Sequence, residues 1–279
     1  AVRKTGLGFG LWMEPERFVS GVPITKAHPG WFKVGGNKNL YPDLEQPVVF
    51  DYIRGEMRRL IETYELAWMK MDFNFELGPD RKELMGYYER WNALVDGLRA
   101  DYPRVYFEGC ASGGMRLDLN TLARYGNHFL SDTVNPFHVL RIYQGAILRL
   151  PPGMLGKWAV LRSIGRQMPR HGTPPAQSPE SVVVPGGGVW GDGAMVVDVD
   201  FACRVAMCGN FGISGDISSL GPDARSRLRH HIAFFKKWRT FIARSAGYLL
   251  TPVEANTHHE GWVGIQLQPP DAKEALLFA

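Results

Sequence analysis

The chain has 279 residues, 45% of them hydrophobic and 22% charged, with a net charge of +4. Those proportions describe a globular protein and exclude a disordered or low-complexity chain. The densest basic stretch, Arg225–Arg239, lies on an amphipathic pattern, so it reads as a solvated helix face and no nucleic-acid partner is expected. No apolar run is long enough to span a bilayer, and no membrane partner is expected. Cys110, Cys203 and Cys208 show no CxxC spacing, and His230-His231 and His258-His259 lack a third ligand at metal spacing. Gly6, Gly8 and Gly10 lie inside a strand pattern, and Leu11 follows where a dinucleotide loop continues differently. The expectation is no metal and no cofactor.

The first predicted element is a buried strand over Leu7–Met13, followed by Glu14-Pro15-Glu16. A long loop over Val19–Pro47 leads to a helix over Val48–Tyr64, where Val49, Ile53, Met57, Leu60 and Ile61 recur at helical spacing. An apolar run from Leu66 ends in Lys70-Met71-Asp72-Phe73-Asn74. Alternation in a strand puts Lys70, Asp72 and Asn74 on one face at the strand's C-terminal end. A helix from Pro79 to about Tyr102 follows, then a strand over Val105–Glu108 that runs into Gly109-Cys110-Ala111-Ser112-Gly113-Gly114. This loop has so little side-chain bulk that its backbone can approach another group closely. A short helix over Asn120–Tyr125 precedes a strand over His128–Asp132, and Asn135 opens a helix over Pro136–Leu150.

Gly165–Ala194 is a turn-rich connection, read as a long loop over a site. A helix over Asp200–Cys208, a strand over Phe211–Ser214 and a helix over Pro222–Ala243 follow. From Tyr248 the pattern changes to short β pieces. The repeated strand, polar strand end and helix predict an α/β fold with a parallel sheet. Polar groups at every strand's C-terminal end favour a (β/α)8 TIM barrel over an open sheet. The expected division is a partial barrel over 1–246 and the start of a C-terminal β-sandwich domain over 247–279. The chain starts at Ala1 and ends within strand-like residues at Ala279, which reads as a piece of a longer protein; its compartment stays open.

Asp72 and Asp132 each stand at a strand end, and two carboxylates across a barrel pocket are the apparatus of glycoside hydrolysis. One must be ionised, and Lys70 beside Asp72 favours that form by attraction. The other must hold a proton, which burial near Phe129 and Phe137 favours. Glu14 and Glu16 either bind sugar hydroxyls or brace the rim, with bracing expected for at least one. Trp12, Trp31 and Trp68 are candidates for stacking on sugar faces, although large apolar residues are more often core. His28 reads as a satisfied loop histidine. Cys110 lacks a matching histidine for thiol catalysis, and no Gly-x-Ser-x-Gly elbow is present.

In this order, Gly10-Leu11-Trp12-Met13-Glu14-Pro15-Glu16, Ala27-His28-Pro29-Gly30-Trp31, Lys70-Met71-Asp72-Phe73-Asn74, Phe107 to Asp118 and Ser131-Asp132 form one set. The set resembles the α-galactosidases of glycoside hydrolase family 36, in the melibiase clan. The likeness extends over roughly Gly6 to Tyr248. It implies a retaining mechanism with Asp72 as nucleophile and Asp132 as acid/base. It also implies that Lys70, Asn74, Cys110 and the Gly113-Gly114 backbone contact the galactosyl group, that Trp12 lines the same site, and that Lys26 takes the place of a substrate-binding arginine. Met71, Lys26 and Thr133-Val134-Asn135 depart from the family pattern. The family's first barrel strands would lie upstream of Ala1, so the barrel is expected to be incomplete.

The implied substrate is an α-galactoside oligosaccharide or glycoconjugate. An α-galactosyl transferase and an α-N-acetylgalactosaminidase use the same residues and stand as alternatives. A non-catalytic carbohydrate-binding barrel is disfavoured by the presence of both aspartates. The resemblance also leaves room for a homo-oligomer of the full-length protein.

Overall fold

A computed structural model of the chain describes residues 2–74, 76–77, 81–161, 181–184, 195–253, 261–271 and 273–279. They fall into two compact units, Ala1–His128 and Phe129–Ala279.

The first unit runs through β1 (Gly10–Met13), α1 (Pro23–Ala27), β2 (Phe32–Val34), β3 (Leu40–Pro42), α2 (Pro47–Tyr64) and β4 (Trp68–Met71). It continues with α3 (Arg81–Asp101), β5 (Tyr106–Gly109), α4 (Leu119–Leu122) and β6 (Asn127–Phe129), whose last residue opens the second unit. β1, β4, β5 and β6 are parallel neighbours in that order. α2 begins with Pro47 at its first turn, where a missing N–H costs nothing. It ends at Glu65 in the left-handed region (φ 45°), whose N–H bonds back to the last turn. Its buried residues Val49, Ile53, Met57 and Ile61 recur every four positions, one stripe on one face. That stripe joins Tyr87, Trp91, Leu94, Val95 and Leu98 of α3 and Met69, Met71 and Phe107 of the strands in a single core. Burying each Leu or Val there contributes about 1.5–3 kcal/mol.

Val19–Pro47, expected as a loop, contains α1 and an antiparallel pair, β2 with β3. Phe32 of this pair packs against Phe18 with ring centroids 4.8 Å apart, so the segment carries its own small apolar contact.

The second unit runs through α5 (Pro136–Ile147), β7 (Leu155–Val160), β8 (Ser181–Val184), β9 (Met195–Asp198), α6 (Val199–Ala206), β10 (Asn210–Ser214), α7 (Pro222–Arg244), β11 (Ala246–Leu249), β12 (Ile265–Gln268) and β13 (Leu276–Phe278). β7 and β10 pair in parallel over five residues. Side-chain caps start two of the helices. Asn135 Oδ1 accepts from Phe137 N–H at 3.0 Å, and Asp198 Oδ1 accepts from Asp200 N–H at 2.7 Å. The core here gathers Ala159 and Leu161 with Val199, Ala202, Cys203 and Ala206 of α6, Met207 just after it, and Ala224 and Leu228 of α7.

β7 has no counterpart among the expected elements. The strand expected over His128–Asp132 stops at Phe129, leaving Asp132 three residues beyond it. Most of the turn-rich connection expected over Gly165–Ala194 lies outside the described residues. Its segment Ser181–Val184 is a strand, β8, paired antiparallel with β9, as three consecutive valines allow. β11, β12 and β13 form an antiparallel sheet within the second unit, in the region where a separate β domain is expected.

The alternation of parallel strands with helices is that of an incomplete (β/α)8 barrel, as expected from sequence.

Candidate active site

Register places the polar residues of the first unit in two rows. Trp12, Lys70 and Glu108 are partners across β1, β4 and β5, and the next partners are Met13, Met71 and Gly109. The first residues beyond the strands are therefore Glu14, Asp72 and Cys110. Backbone bonds extend the register to them, Asp72 N–H to Met13 O and Cys110 N–H to Met71 O, each at 2.9 Å. Residues two apart share a face, so the row of Trp12, Lys70 and Glu108 and the row of Glu14, Asp72 and Cys110 belong together. Both rows stand at the strands' C-terminal ends, where barrel enzymes carry their chemistry.

Asp72 is buried and surrounded by donors. Its Oδ2 accepts from Trp12 Nε1 at 2.9 Å and its Oδ1 from Phe73 N–H at 2.8 Å. The Cys110 thiol and the Asn74 amide also hydrogen-bond to it. Burial alone raises a carboxyl's pKa. Here the Trp12, Cys110, Asn74 and Phe73 donors together outweigh it and hold Asp72 below its ordinary value. Attraction to Lys70, the expected cause, is not the leading one. Lys70 Nζ stands 3.9 Å from Glu108 Oε1, an ion pair between two buried side chains. Glu108 Oε2 accepts from Trp68 Nε1 at 2.9 Å. Burial pushes the Glu108 carboxyl up, partly offset by Lys70 and the Trp68 hydrogen bond.

The loop after β5 places Cys110 beside Asp72. Ser112 (φ 43°) and Gly113 (φ 79°) turn the backbone through the left-handed region, which Gly113 enters without a Cβ penalty. Ala111 N–H donates to Gly113 O at 2.9 Å, and Ala111 bridges to Gly114. Ser112 Oγ donates to Asn74 Oδ1 at 3.1 Å, linking the loop to the end of β4. Burial, with Asp72 beside it, drives the Cys110 thiol well above its usual range. A thiol so placed favours the protonated form, in which it donates to Asp72.

Glu14 and Glu16 divide their tasks. Glu14 Oε1 accepts from Asn74 N–H at 2.6 Å and fixes the segment after Asp72. Glu16 is buried and braces: Arg116 Nη1 and Nη2 reach its two oxygens at 2.8 and 3.1 Å, and Tyr87 O–H donates at 2.8 Å. The Arg116 guanidinium lies 3.7 Å from the Phe73 ring centroid and 5.0 Å from that of Tyr88. Phe73 stands between Asp72 and Asn74, so this clamp grips the site from behind. Sequence reasoning puts a strand end at Glu108 and includes Arg116 in the family-like stretch, but gives neither residue a task. The period-two spacing of Glu108 and Cys110 was the signal that could have shown Glu108.

Of the three tryptophans, Trp12 is 54% exposed and lies outside the core. Trp31 packs against the core and stacks on His28, ring centroids 3.9 Å apart. Lys26 is exposed in α1. In the second unit, Asp132 is half-buried in a run of local turns. Ser131 Oγ accepts from Thr133 N–H at 3.2 Å and Thr133 Oγ1 from Asn135 N–H at 3.3 Å. Ser131 O accepts from the buried Lys157 Nζ at 2.6 Å, and that ammonium stands 4.4 Å from the Phe129 ring centroid. Among the described residues, no cluster of three or more His, Cys, Asp or Glu is placed to hold a metal ion.

The melibiase family model matches residues 1–174. Among curated proteins, the chain is 25% identical over 288 residues to a probable alpha-galactosidase C of Aspergillus terreus, covering 98% of this chain and 34% of that protein. It is also 25% identical to alpha-galactosidase AgaA of Geobacillus stearothermophilus, covering 99% of this chain and 36% of that one. The chain thus spans about a third of the length of these curated relatives. Among solved structures, the GH36 alpha-galactosidase AgaA in complex with 1-deoxygalactonojirimycin superposes with a TM-score of 0.80 at 24% identity, over 99% of this chain and 37% of that one. A variant of the same enzyme in complex with raffinose gives 0.79 at 23% identity, over 99% and 36%. A family match over more than half its residues, on a barrel shared with those structures, makes this chain a member of the melibiase family.

Proposed function

We propose that the protein carrying this chain is a retaining glycoside hydrolase that removes terminal α-galactose from oligosaccharides or glycoconjugates. The observation that carries this reading is Asp72: a carboxylate at the end of β4, buried yet held ionised by an indole, a thiol, an amide and a backbone N–H. A nucleophile needs that state at neutral pH. The alpha-galactosidase names of its relatives, and the raffinose and stachyose bound by solved relatives, support the substrate class.

In the proposed reaction an Asp72 oxygen attacks the anomeric carbon from the β face. The bond to the leaving oxygen breaks, its electron pair stays on that oxygen, and Asp132 supplies the proton. Asp132, now a carboxylate, takes a proton from water, which attacks the β-galactosyl ester from the α face. Asp72 leaves as carboxylate, and galactose is released with retained configuration. Lys70, Asn74, Trp12, Lys26, Cys110 and the Gly113-Gly114 backbone are assigned to sugar binding.

The test uses the full-length protein with aryl α-galactoside, α-N-acetylgalactosaminide and α-glucoside side by side. The galactoside should be preferred. Asp72→Gly with azide should yield β-galactosyl azide. Asp132→Ala with azide and a substrate with a good leaving group should yield α-galactosyl azide. Reversed azide products would exchange the two roles, and an inverted sugar from the wild-type protein would end the retaining reading.

A further inference from the structure

We propose that Ser112 is a positioning residue for Asp72, acting through Asn74: its hydroxyl holds the Asn74 amide so that the amide's N–H group faces the carboxylate. This rests on the reading of Asp72 as the nucleophile.

The register of β4 and β5 continues past the sheet. Lys70 pairs with Glu108 and Met71 with Gly109. Counting on at the same register sets Asp72 beside Cys110 and Asn74 beside Ser112. Hydrogen bonds make both rungs. Cys110 N–H reaches Met71 O at 2.9 Å and its thiol reaches Asp72. Ser112 Oγ donates to Asn74 Oδ1 at 3.1 Å. The first rung touches the carboxylate directly. The second touches it through Asn74, whose side chain hydrogen-bonds to Asp72 and to Glu14. A side-chain amide carries its acceptor oxygen and its donor NH2 on opposite sides. With the oxygen held by Ser112, the NH2 is turned to the two carboxylates. The Asn74 backbone is fixed separately, its N–H donating to Glu14 Oε1 at 2.6 Å. That bond leaves the side-chain torsions free, and the Ser112 hydroxyl stops them.

The backbone at Ser112 gives a second, independent reason. Its φ of 43° lies in the left-handed region, which a residue with a Cβ enters at a cost. Glycine would take this conformation freely, and glycine stands at 109, 113 and 114 of the same loop. Serine occupies the strained position and directs its hydroxyl to Asn74. A strained residue whose side chain makes a specific bond within a site points to a task for that side chain.

The charged and titratable groups around Asp72 are Glu14 with Arg17 behind it at 3.5 Å, Lys70 and Glu108 one row below, and the Cys110 thiol. A substitution at Ser112 alters none of them. Ser112→Ala removes the hydroxyl and keeps the Cβ. With p-nitrophenyl α-galactoside and the full-length protein, kcat/KM at neutral pH should fall by up to about 10-fold, the worth of one hydrogen bond. The acid limb of kcat/KM should move to higher pH, because Asp72 is less well served by the amide. Ser112→Gly lacks the hydroxyl but relieves the backbone, and it should move the limb equally. Asn74→Ala should move it at least as far, and Ser112→Ala added to Asn74→Ala should move it no further. Circular dichroism checks each fold, and Ser112→Gly replaces Ser112→Ala in the cycle if the latter does not fold. An unmoved limb, a limb restored in Ser112→Gly, or a full Ser112→Ala effect beside Asn74→Ala overturns the proposal. The same cycle read as urea midpoints needs no turnover, and there the two losses should overlap because both remove one bond. If the wild-type protein releases no galactose, the proposed function fails by itself. The urea cycle then decides this inference: overlapping losses uphold it and additive losses overturn it.

Discussion

Arg116→Met is the sharpest test of how the site is built. In the intact protein Glu16 is 1% exposed and meets three donors: two from Arg116, at 2.8 and 3.1 Å, and the Tyr87 hydroxyl at 2.8 Å. Methionine fills much of the same volume but offers no donor and no charge. Glu16 would then keep Tyr87 alone while remaining out of water. Removing one partner of a buried ion pair costs about 3–5 kcal/mol, most of it the penalty of the stranded charge. The lost cation contact to Phe73, at 3.7 Å, adds about 1 kcal/mol, part of which a thioether over the ring recovers. Against a typical total of roughly 5–15 kcal/mol, a loss near 4 kcal/mol is severe. The control is Glu16→Gln with Arg116→Met, which removes the stranded charge and should restore more than half of the loss. Urea unfolding of the three proteins, read as midpoint shifts at constant slope, measures both numbers. A loss under about 1 kcal/mol for Arg116→Met, or no recovery in the double variant, would refute the clamp.

Trp12→Phe removes the 2.9 Å indole hydrogen bond to Asp72 Oδ2. Asp72 then loses one of the donors that hold it ionised, so the acid limb of kcat/KM should move to higher pH, and an unmoved limb would count against the role of the indole. His128 is buried and held down to about 4, so the unfolded chain, at its ordinary 6.5, takes up a proton first. Stability should be full above about pH 6.5 and fall by about 3 kcal/mol toward pH 4; urea midpoints across pH should show this, and His128→Gln should flatten it. Gly109→Ala would place a Cβ 2.6 Å from the His128 ring. It should cost about 1–3 kcal/mol by overpacking and displace the loop carrying Cys110, lowering the thermal midpoint and the activity together.

Where a pattern in the chain was set by one dominant force, the sequence reading and the structure agree. The Val49, Ile53, Met57 and Ile61 stripe fixed α2, with Pro47 at its start, because helical burial recurs at a readable period. α7 was legible for the same reason. β7 was not: Leu155–Val160 contains Gly156 and a buried Lys157, which break the look of an apolar strand. Lys157 is retained by Ser131 O and the Phe129 face, partners that no local window displays. The polar ends at Asp72 and Cys110 were visible because a strand running into a carboxylate or a glycine loop leaves a mark. Glu108 and Arg116 were not, because their importance comes from the register of neighbouring strands and from a pairing with Glu16 across 100 residues.

The donors around Asp72 bear on both halves of the proposed reaction. A carboxylate that accepts several hydrogen bonds is less nucleophilic than a bare one, since its charge is already shared. That cost falls on the first step, where Asp72 attacks. In the second step the same oxygens must leave the sugar as a carboxylate, and Trp12 N–H and Phe73 N–H are already placed to receive the returning charge. A cation beside Asp72 would ease departure too, but it would also bind the free carboxylate more tightly than the transition state requires. In the proposed reaction Asp72 is thus served in both steps by neutral hydrogen-bond donors, Trp12 N–H and Phe73 N–H among them.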